Sequence, residues 1–249
     1  MIDIHCHLLP RIDDGSKDWE ESLELCEKGF RNGLEEIILT PHLMDFSKAD
    51  HLIEKRDQLT EKLIEKLKMS EEASALKLYK GFEVFASEEI LTTSELKKLT
   101  LNGTKYILVE FNPSLKYVSF VIDSLEAVER QGLTMIMAHV ERYQFTQKDH
   151  EFVNYLLDKG VLFQVNADSI LGDWGQKAQR LAVDMLDQNM VHFMASDAHN
   201  TMRNNNMNVT LKEISRFITD LQITDIVETN AKSILADGML NDIQRGMLR

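Results

Sequence analysis

A 249-residue chain, 43% hydrophobic and 28% charged, has an ordinary globular composition and is long enough for one α/β barrel or one larger doubly wound domain. Its net charge of −13 argues against sequence-independent nucleic-acid binding and requires that any anionic substrate be drawn in by local positive charge, from metal ions or placed arginines. No apolar run approaches the ~18–20 residues that cross a bilayer, the N-terminal MIDIHCHLLPRIDDG lacks the pattern of a signal peptide, and two cysteines, Cys6 and Cys26, are too few for a disulfide scaffold; a cytoplasmic location is expected.

In chain order, short β-type runs alternate with longer helical ones. Strands are predicted at 2–5, 36–40, 75–80, 105–109, 134–138, 161–165 and 191–195, with helices at about 17–32, 49–70, 87–99, 117–131, 149–159 and 175–189, and two or three more after residue 207. Gly33, Gly132 and Gly160 each precede a strand run, where a glycine terminating a helix belongs. Trp19, Leu23, Cys26 and Phe30 share one face of the first helix by their 3–4 spacing. About seven β/α units without a linker or repeat point to a closed or nearly closed barrel over residues 1–249, a single domain. No G-x-G-x-x-G follows the first strand to support an open dinucleotide-binding sheet.

Each strand run stops at a polar group. The first gives His5-Cys6-His7 and then Asp13-Asp14-Gly15; the second gives Thr40-Pro41-His42. Glu83, Glu110, His139 and Asn166 follow in turn, and the seventh run ends in Ser196-Asp197-Ala198-His199. In β/α barrels these ends form the face on which chemistry is assembled. Side chains alternate along a strand, so His5 and His7 share a face and Cys6 points away. A lone His or Glu at a strand end is more often an ordinary hydrogen-bonded group. Five of the eight histidines at such ends, together with two glutamates and two aspartates, point instead to metal. Imidazole and carboxylate without thiolate suit Zn, Mn or Fe, and nine donors are too many for one ion, so two or three are expected.

The remaining features have plainer readings. Neither cysteine has the C-x5-R spacing of a cysteine phosphatase; Cys26 reads as core and Cys6 as a wall residue. His51, His150 and His192 have no strand-end position and read as surface or structural, and the methionines between 185 and 207 read as packing. Arg142 and Arg203, just after His139 and His199, stand where an arginine at the barrel mouth can fork onto phosphate oxygens; a plain surface arginine is the alternative for each.

His5-x-His7, Asp14-Gly15, Thr40-Pro41-His42, Glu83, Glu110-Phe111, Ala138-His139-x-Glu141-Arg142 and Ser196-Asp197-x-His199-Asn200 resemble the polymerase and histidinol phosphatase superfamily. Within it they are most similar to the bacterial CpsB/CapC-type protein-tyrosine phosphatases of capsule and exopolysaccharide loci. The resemblance implies a distorted β/α barrel of about seven strands, TIM-barrel-like, holding three divalent ions, with manganese expected and Fe, Zn or Mg as alternatives. It places His5, His7, Glu83 and Asp197 on a first ion, Glu83, Glu110 and His139 on a second, and Asp14, His42 and His199 on a third. It gives catalytic roles to Arg142, Arg203, His42, Asp197 and His199. The implied reaction is attack of metal-bridging hydroxide on phosphotyrosine, and the implied substrate is the tail of a bacterial tyrosine autokinase controlling polysaccharide synthesis. Two departures stand out: Leu43-Met44 after His42, where relatives often carry a polar residue, and a short interval from His199 to Arg203. Histidinol phosphate or another small phosphomonoester is the alternative substrate; a non-catalytic binding module is the alternative of another class. A metal-dependent amidohydrolase is a third alternative, but it would call for a lysine among the strand-end donors, and none of the nine is a lysine.

Overall fold

The two hydrophobic periods resolve into parallel strands separated by helices in the computed structural model, which describes residues 1–203 and 206–240. The strands are β1 (Ile2–Cys6), β2 (Glu36–Leu39), β3 (His42–Leu43), β4 (Lys77–Lys80), β5 (Glu83–Phe85), β6 (Tyr106–Glu110), β7 (Thr134–Met137), β8 (Leu162–Asn166) and β9 (Phe193–Ala195). The helices are α1 (Trp19–Arg31), α2 (Ala49–Leu67), α3 (Ser119–Glu129), α4 (Gln144–Lys148), α5 (His150–Asp158), α6 (Ala167–Leu171), α7 (Gln176–Asp187), α8 (Met207–Ile214), α9 (Asp220–Thr224) and α10 (Asn230–Leu235). Among the described residues, none of these helices is long and apolar enough to cross a membrane.

Hydrogen bonding runs β1-β2-β4 in one sheet and β3-β5-β6-β7-β8-β9 in the other. The two sheets form one curled surface. β3 continues β2 beyond Thr40-Pro41, and β5 continues β4 beyond Gly81-Phe82, so nine strand segments make seven staves. Pro41 has no N–H to give to a ladder, which marks the interruption in the second stave. β1 meets the end of the last stave through Asp197 N–H to His5 O at 2.9 Å and His7 N–H to Ala198 O at 2.8 Å. The curled parallel sheet agrees with the barrel that the strand count favoured and with the distortion that the resemblance implied.

A small apolar cluster fed by β1, β2, β6, β7, β8 and β9 fills the barrel; α10 contributes Ala231 and Ile234 to it. A much larger one lies between the staves and the surrounding helices. Alternation carries the inner rows upward into polar residues: Tyr106 and Leu108 lead to Glu110, Leu162 leads to Gln164 and Asn166, and Phe193 and Ala195 lead to Asp197. One helix prediction fails. Residues 87–99 form separate 3-10 turns, Glu88–Leu91 and Leu96–Leu99, instead of an α-helix. Thr92 Oγ1 donates to Glu89 O and Thr93 Oγ1 accepts from Glu95 N–H, so side chains compete for the bonds a helix would use.

Candidate metal centre

All nine donors singled out from sequence meet at one mouth. Glu83 is central. Its Oε2 lies 3.1 Å from His5 Nε2, 3.2 Å from His7 Nε2 and 3.0 Å from His42 Nδ1, while Oε1 is 2.8 Å from His139 Nε2. Glu110 is 3.3 Å from His42 and 3.6 Å from His139. Asp14 Oδ1 is 3.4 Å from His42 Nε2 and 3.7 Å from His199 Nε2. Asp197 Oδ1 lies 3.5 Å from both His5 and His7 and 3.4 Å from His199.

The donors form three tight groups, His7-Asp14-His42-His199, His5-His7-Glu83 and His42-Glu83-Glu110, each within 4.8 Å and able to hold a metal ion. They cut the donor set differently from the resemblance: His7 joins the Asp14 group, His42 bridges two groups, and His139 and Asp197 stand at 2.8 and 3.5 Å from members without completing one. Glu83 Oε2 is fully buried, surrounded by three imidazole nitrogens, and makes no aligned hydrogen bond with any of them; the Nδ1 atoms of His42 and His139 are also buried without one. Buried acceptors that crowd together without bonding are a costly arrangement for protein groups alone. Lone pairs converging on shared cations explain it, so the donor set fits divalent metal.

Electrostatics agree. Burial alone would raise Glu83, but the imidazoles packed around it, His5 first and then His139 and His42, hold it well below the usual carboxylate range. Asp197 is likewise pushed down, burial being outweighed by His5 and His7. Burial would lower His7, yet its bond to Asp13 and the adjacent Glu83 carboxylate leave it raised to about 9. His42 is raised to about 11 against burial by Glu110 and Glu83. His199 goes the other way, to about 4, through burial and the neighbouring His7. Burial pushes both thiols up, Cys26 to about 12, which removes them as nucleophiles.

Several supporting residues escaped the sequence reading. Gln164 Oε1 sits 2.9 Å from His5 Nδ1 and accepts from His139 N–H at 2.9 Å. Asp13 Oδ2 takes His7 Nδ1 at 2.7 Å and the His42 N–H at 3.0 Å; burial would raise it, but His7 draws it down to about 2. Ligand-like imidazoles held from behind in this way keep one tautomer and one orientation. The inward register of Gln164, two residues before Asn166, was the available signal. Backbone geometry helps too. His139 and Asp197 have φ of 32° and 50°, left-handed values that non-glycine residues adopt at a cost and that here turn each side chain off the end of its strand. Gly15 packs so closely that a β-carbon there would fall 2.1 Å from His7 O, which explains a glycine after Asp14.

Both predicted arginines reach the mouth. Arg142 Nη1 and Arg203 Nη2 donate to Asp197 Oδ2 at 2.9 and 3.0 Å, and Asn166 Nδ2 donates to the same oxygen at 2.8 Å. The short interval after His199 therefore does not exclude Arg203: Asn200 Oδ1 accepts from Arg203 N–H at 3.0 Å and folds the loop back. Both arginines line a cavity of about 560 Å³ whose other wall includes Ile12, Met44 and Leu52. His192, set aside in sequence as structural, is buried and its Nδ1 accepts from Phe163 N–H at 3.0 Å, away from the mouth.

Residues 1–236 match the family described as capsular polysaccharide synthesis, CpsB/CapC. The chain is 32% identical over 209 residues to the tyrosine-protein phosphatase YwqE of Bacillus subtilis (strain 168), covering 82% of this chain and 80% of that protein. It is 33% identical over 208 residues to the tyrosine-protein phosphatase CpsB of Streptococcus agalactiae serotype V, covering 80% and 83%. Among solved structures, one from work on YwqE of Bacillus subtilis and CpsB of Streptococcus pneumoniae, described as unique metal-dependent tyrosine phosphatases, superposes with a TM-score of 0.85 at 28% identity over 100% of both chains. The lactonase Lmo2620 of Listeria monocytogenes, with a TM-score of 0.51 at 12% identity over 95% of this chain and 91% of that one, shares the fold alone.

Proposed function

Because the chain belongs to the CpsB/CapC family, we propose that it is a metal-dependent protein-tyrosine phosphatase, one catalytic domain acting on the phosphotyrosine-bearing tail of a bacterial tyrosine kinase in capsular or exopolysaccharide synthesis. The observation that carries the reading is a single mouth in which a buried His/Asp/Glu cluster adjoins two arginines facing the same cavity. Three divalent ions, manganese foremost, would be held by His5, His7, Glu83 and Asp197, by Glu83, Glu110 and His139, and by Asp14, His42 and His199. The chemistry such ions supply when bound is a water made acidic near neutral pH and positive charge against phosphoryl oxygens.

The protein's own groups supply the rest. Arg142 and Arg203 bring local positive charge into a strongly acidic molecule and fork onto the oxygens of the bound phosphate. Asp197 carries one oxygen toward the imidazoles and the other toward both arginines, so it fixes the phosphate grip relative to the cluster. Gln164 and Asp13 orient His5 and His7. The apolar side of the cavity, Ile12, Met44 and Leu52, suits the phenyl ring of a phosphotyrosine. Phenolate is already a fair leaving group, so a dedicated acid contributes little.

The test is phosphate release by manganese-loaded protein from a phosphotyrosine peptide beside histidinol phosphate. Preference for the peptide, lost on chelation, is expected. Preference for histidinol phosphate would overturn the substrate class while leaving the metal chemistry standing, and cleavage of neither would overturn both.

A further inference from the structure

Trp174 lies on neither a strand nor a helix, yet its position is closely set. It falls in the short connection between α6 and α7, bracketed by Gly172 and Gly175 at φ of 100° and 87°, left-handed values that glycine adopts without strain. Its Nε1–H donates to Asp168 Oδ2 at 2.9 Å, and Asp168 is buried on α6 directly after β8. The indole is therefore tied back to a stave of the barrel. Its face carries two cations. Arg142 Cζ stands 3.6 Å from the ring centroid, in van der Waals contact, and Arg203 Cζ stands 5.3 Å away. These are the two guanidiniums that share Asp197 Oδ2.

We propose that Trp174 is a positioning residue, a common platform holding Arg142 and Arg203 side by side so that both forks meet one phosphate group. This rests on the phosphatase reading for the identity of the anion. A guanidinium stacked on an aromatic face keeps its N–H edge free in its own plane, so stacking fixes the fork without consuming its donors. Arg203 has a donor to spare: its Nε is buried with no hydrogen-bond partner. Two arginines gathered on one carboxylate oxygen repel each other, and the electron-rich ring face offsets that repulsion without adding a second anion to compete with the substrate.

Two measurements on the manganese-loaded protein test this. In a Trp19→Phe background Trp174 is the remaining tryptophan, and its fluorescence should change saturably on titration with inorganic phosphate. Trp174→Ala should raise both the phosphate dissociation constant and KM for a phosphotyrosine peptide about five- to tenfold, between the scales of an exposed and a desolvated cation–π contact, with kcat within about twofold. Trp174→Phe should recover most of the loss, with metal content and melting temperature matching the parent. Unchanged phosphate affinity in Trp174→Ala, or a fall in kcat alone, would overturn the proposal. If the parent protein binds no phosphate, the phosphatase reading itself fails, and the positioning role with it.

Discussion

The mouth of the barrel has a floor and a rim that are built on opposite terms. The floor is largely strand-borne and closed, with Asp14 as its exposed, loop-borne member: His5 and Glu83 have no measurable exposure, and each floor imidazole touches at least one carboxylate. The rim is loop-borne and open: Arg142 sits on the 3-10 turn Val140–Arg142, Arg203 on the loop after the last stave, and Trp174 is 39% exposed. Burying so many ionisable groups on the floor is unfavourable unless each is partnered, so the sheet must hold them rigidly. The rim instead carries two cations, one on a hydrogen-bonded loop and both against the Trp174 ring. On the proposed reading, chemistry belongs to the floor and substrate recognition to the rim.

Asp197 lies on the boundary, so its removal should break both parts. Asp197→Ala is expected to lower turnover by about a thousandfold or more, a loss of about 4 kcal/mol in transition-state stabilisation, while circular dichroism stays that of the folded parent. Phosphate release measured at saturating manganese checks this, and activity near that of the parent would contradict it.

Gly15→Ala tests the floor without touching a donor. The added β-carbon collides with the His7 carbonyl, the loop must retreat, and Asp13 and Asp14 retreat with it. Metal affinity should fall roughly 10- to 100-fold, the range for losing the groups that orient ligands. Titrated metal binding is the readout; affinity equal to the parent would show that the loop has room that the close approach denies.

Arg142→Ala tests the rim. KM for a phosphotyrosine peptide should rise about tenfold or more, as for a lost charge-assisted hydrogen bond, with metal content unchanged. Loss of metal instead would place Arg142 in the floor.

A pH slope probes the floor by a separate route. His7 and His42 are raised to about 9 and 11, so protons occupy both between pH 6 and 8, and a cation must expel them to bind. Apparent metal affinity should therefore rise with pH, by about tenfold per unit for each proton displaced. Asp13, lowered to about 2, stays ionised throughout and adds nothing to the slope. Calorimetry in buffers of different ionisation heat would count the protons; none released would remove the competition from the account.

The difference between floor and rim also decides what was legible in the sequence. A strand has a fixed period and a definite end, so His5-x-His7, His42, Glu83, Glu110, His139 and Asp197 could be read as a converging set from spacing alone, and the barrel with them. Gln164 was missed because its strand reads as apolar, although its inward register matches that of Asn166. Asp13 was seen only as the neighbour of Asp14, and nothing local says which of two adjacent carboxylates faces His7. The predicted helix at 87–99 failed because Thr92 and Thr93 bond the backbone locally, which apolar spacing does not register. Trp174 carried no signal: its contacts to Arg142, Arg203 and Asp168 join three separate loops and helices, and only the closed barrel brings them together.

The most direct measurement is a chelate-and-restore titration. Protein stripped by dialysis against a chelator is returned to graded manganese, and phosphotyrosine hydrolysis is followed beside the number of ions bound. Activity that vanishes on stripping and returns as up to three ions bind per chain is the predicted result. Hydrolysis that persists at full rate in stripped protein would contradict a metal centre as the seat of catalysis.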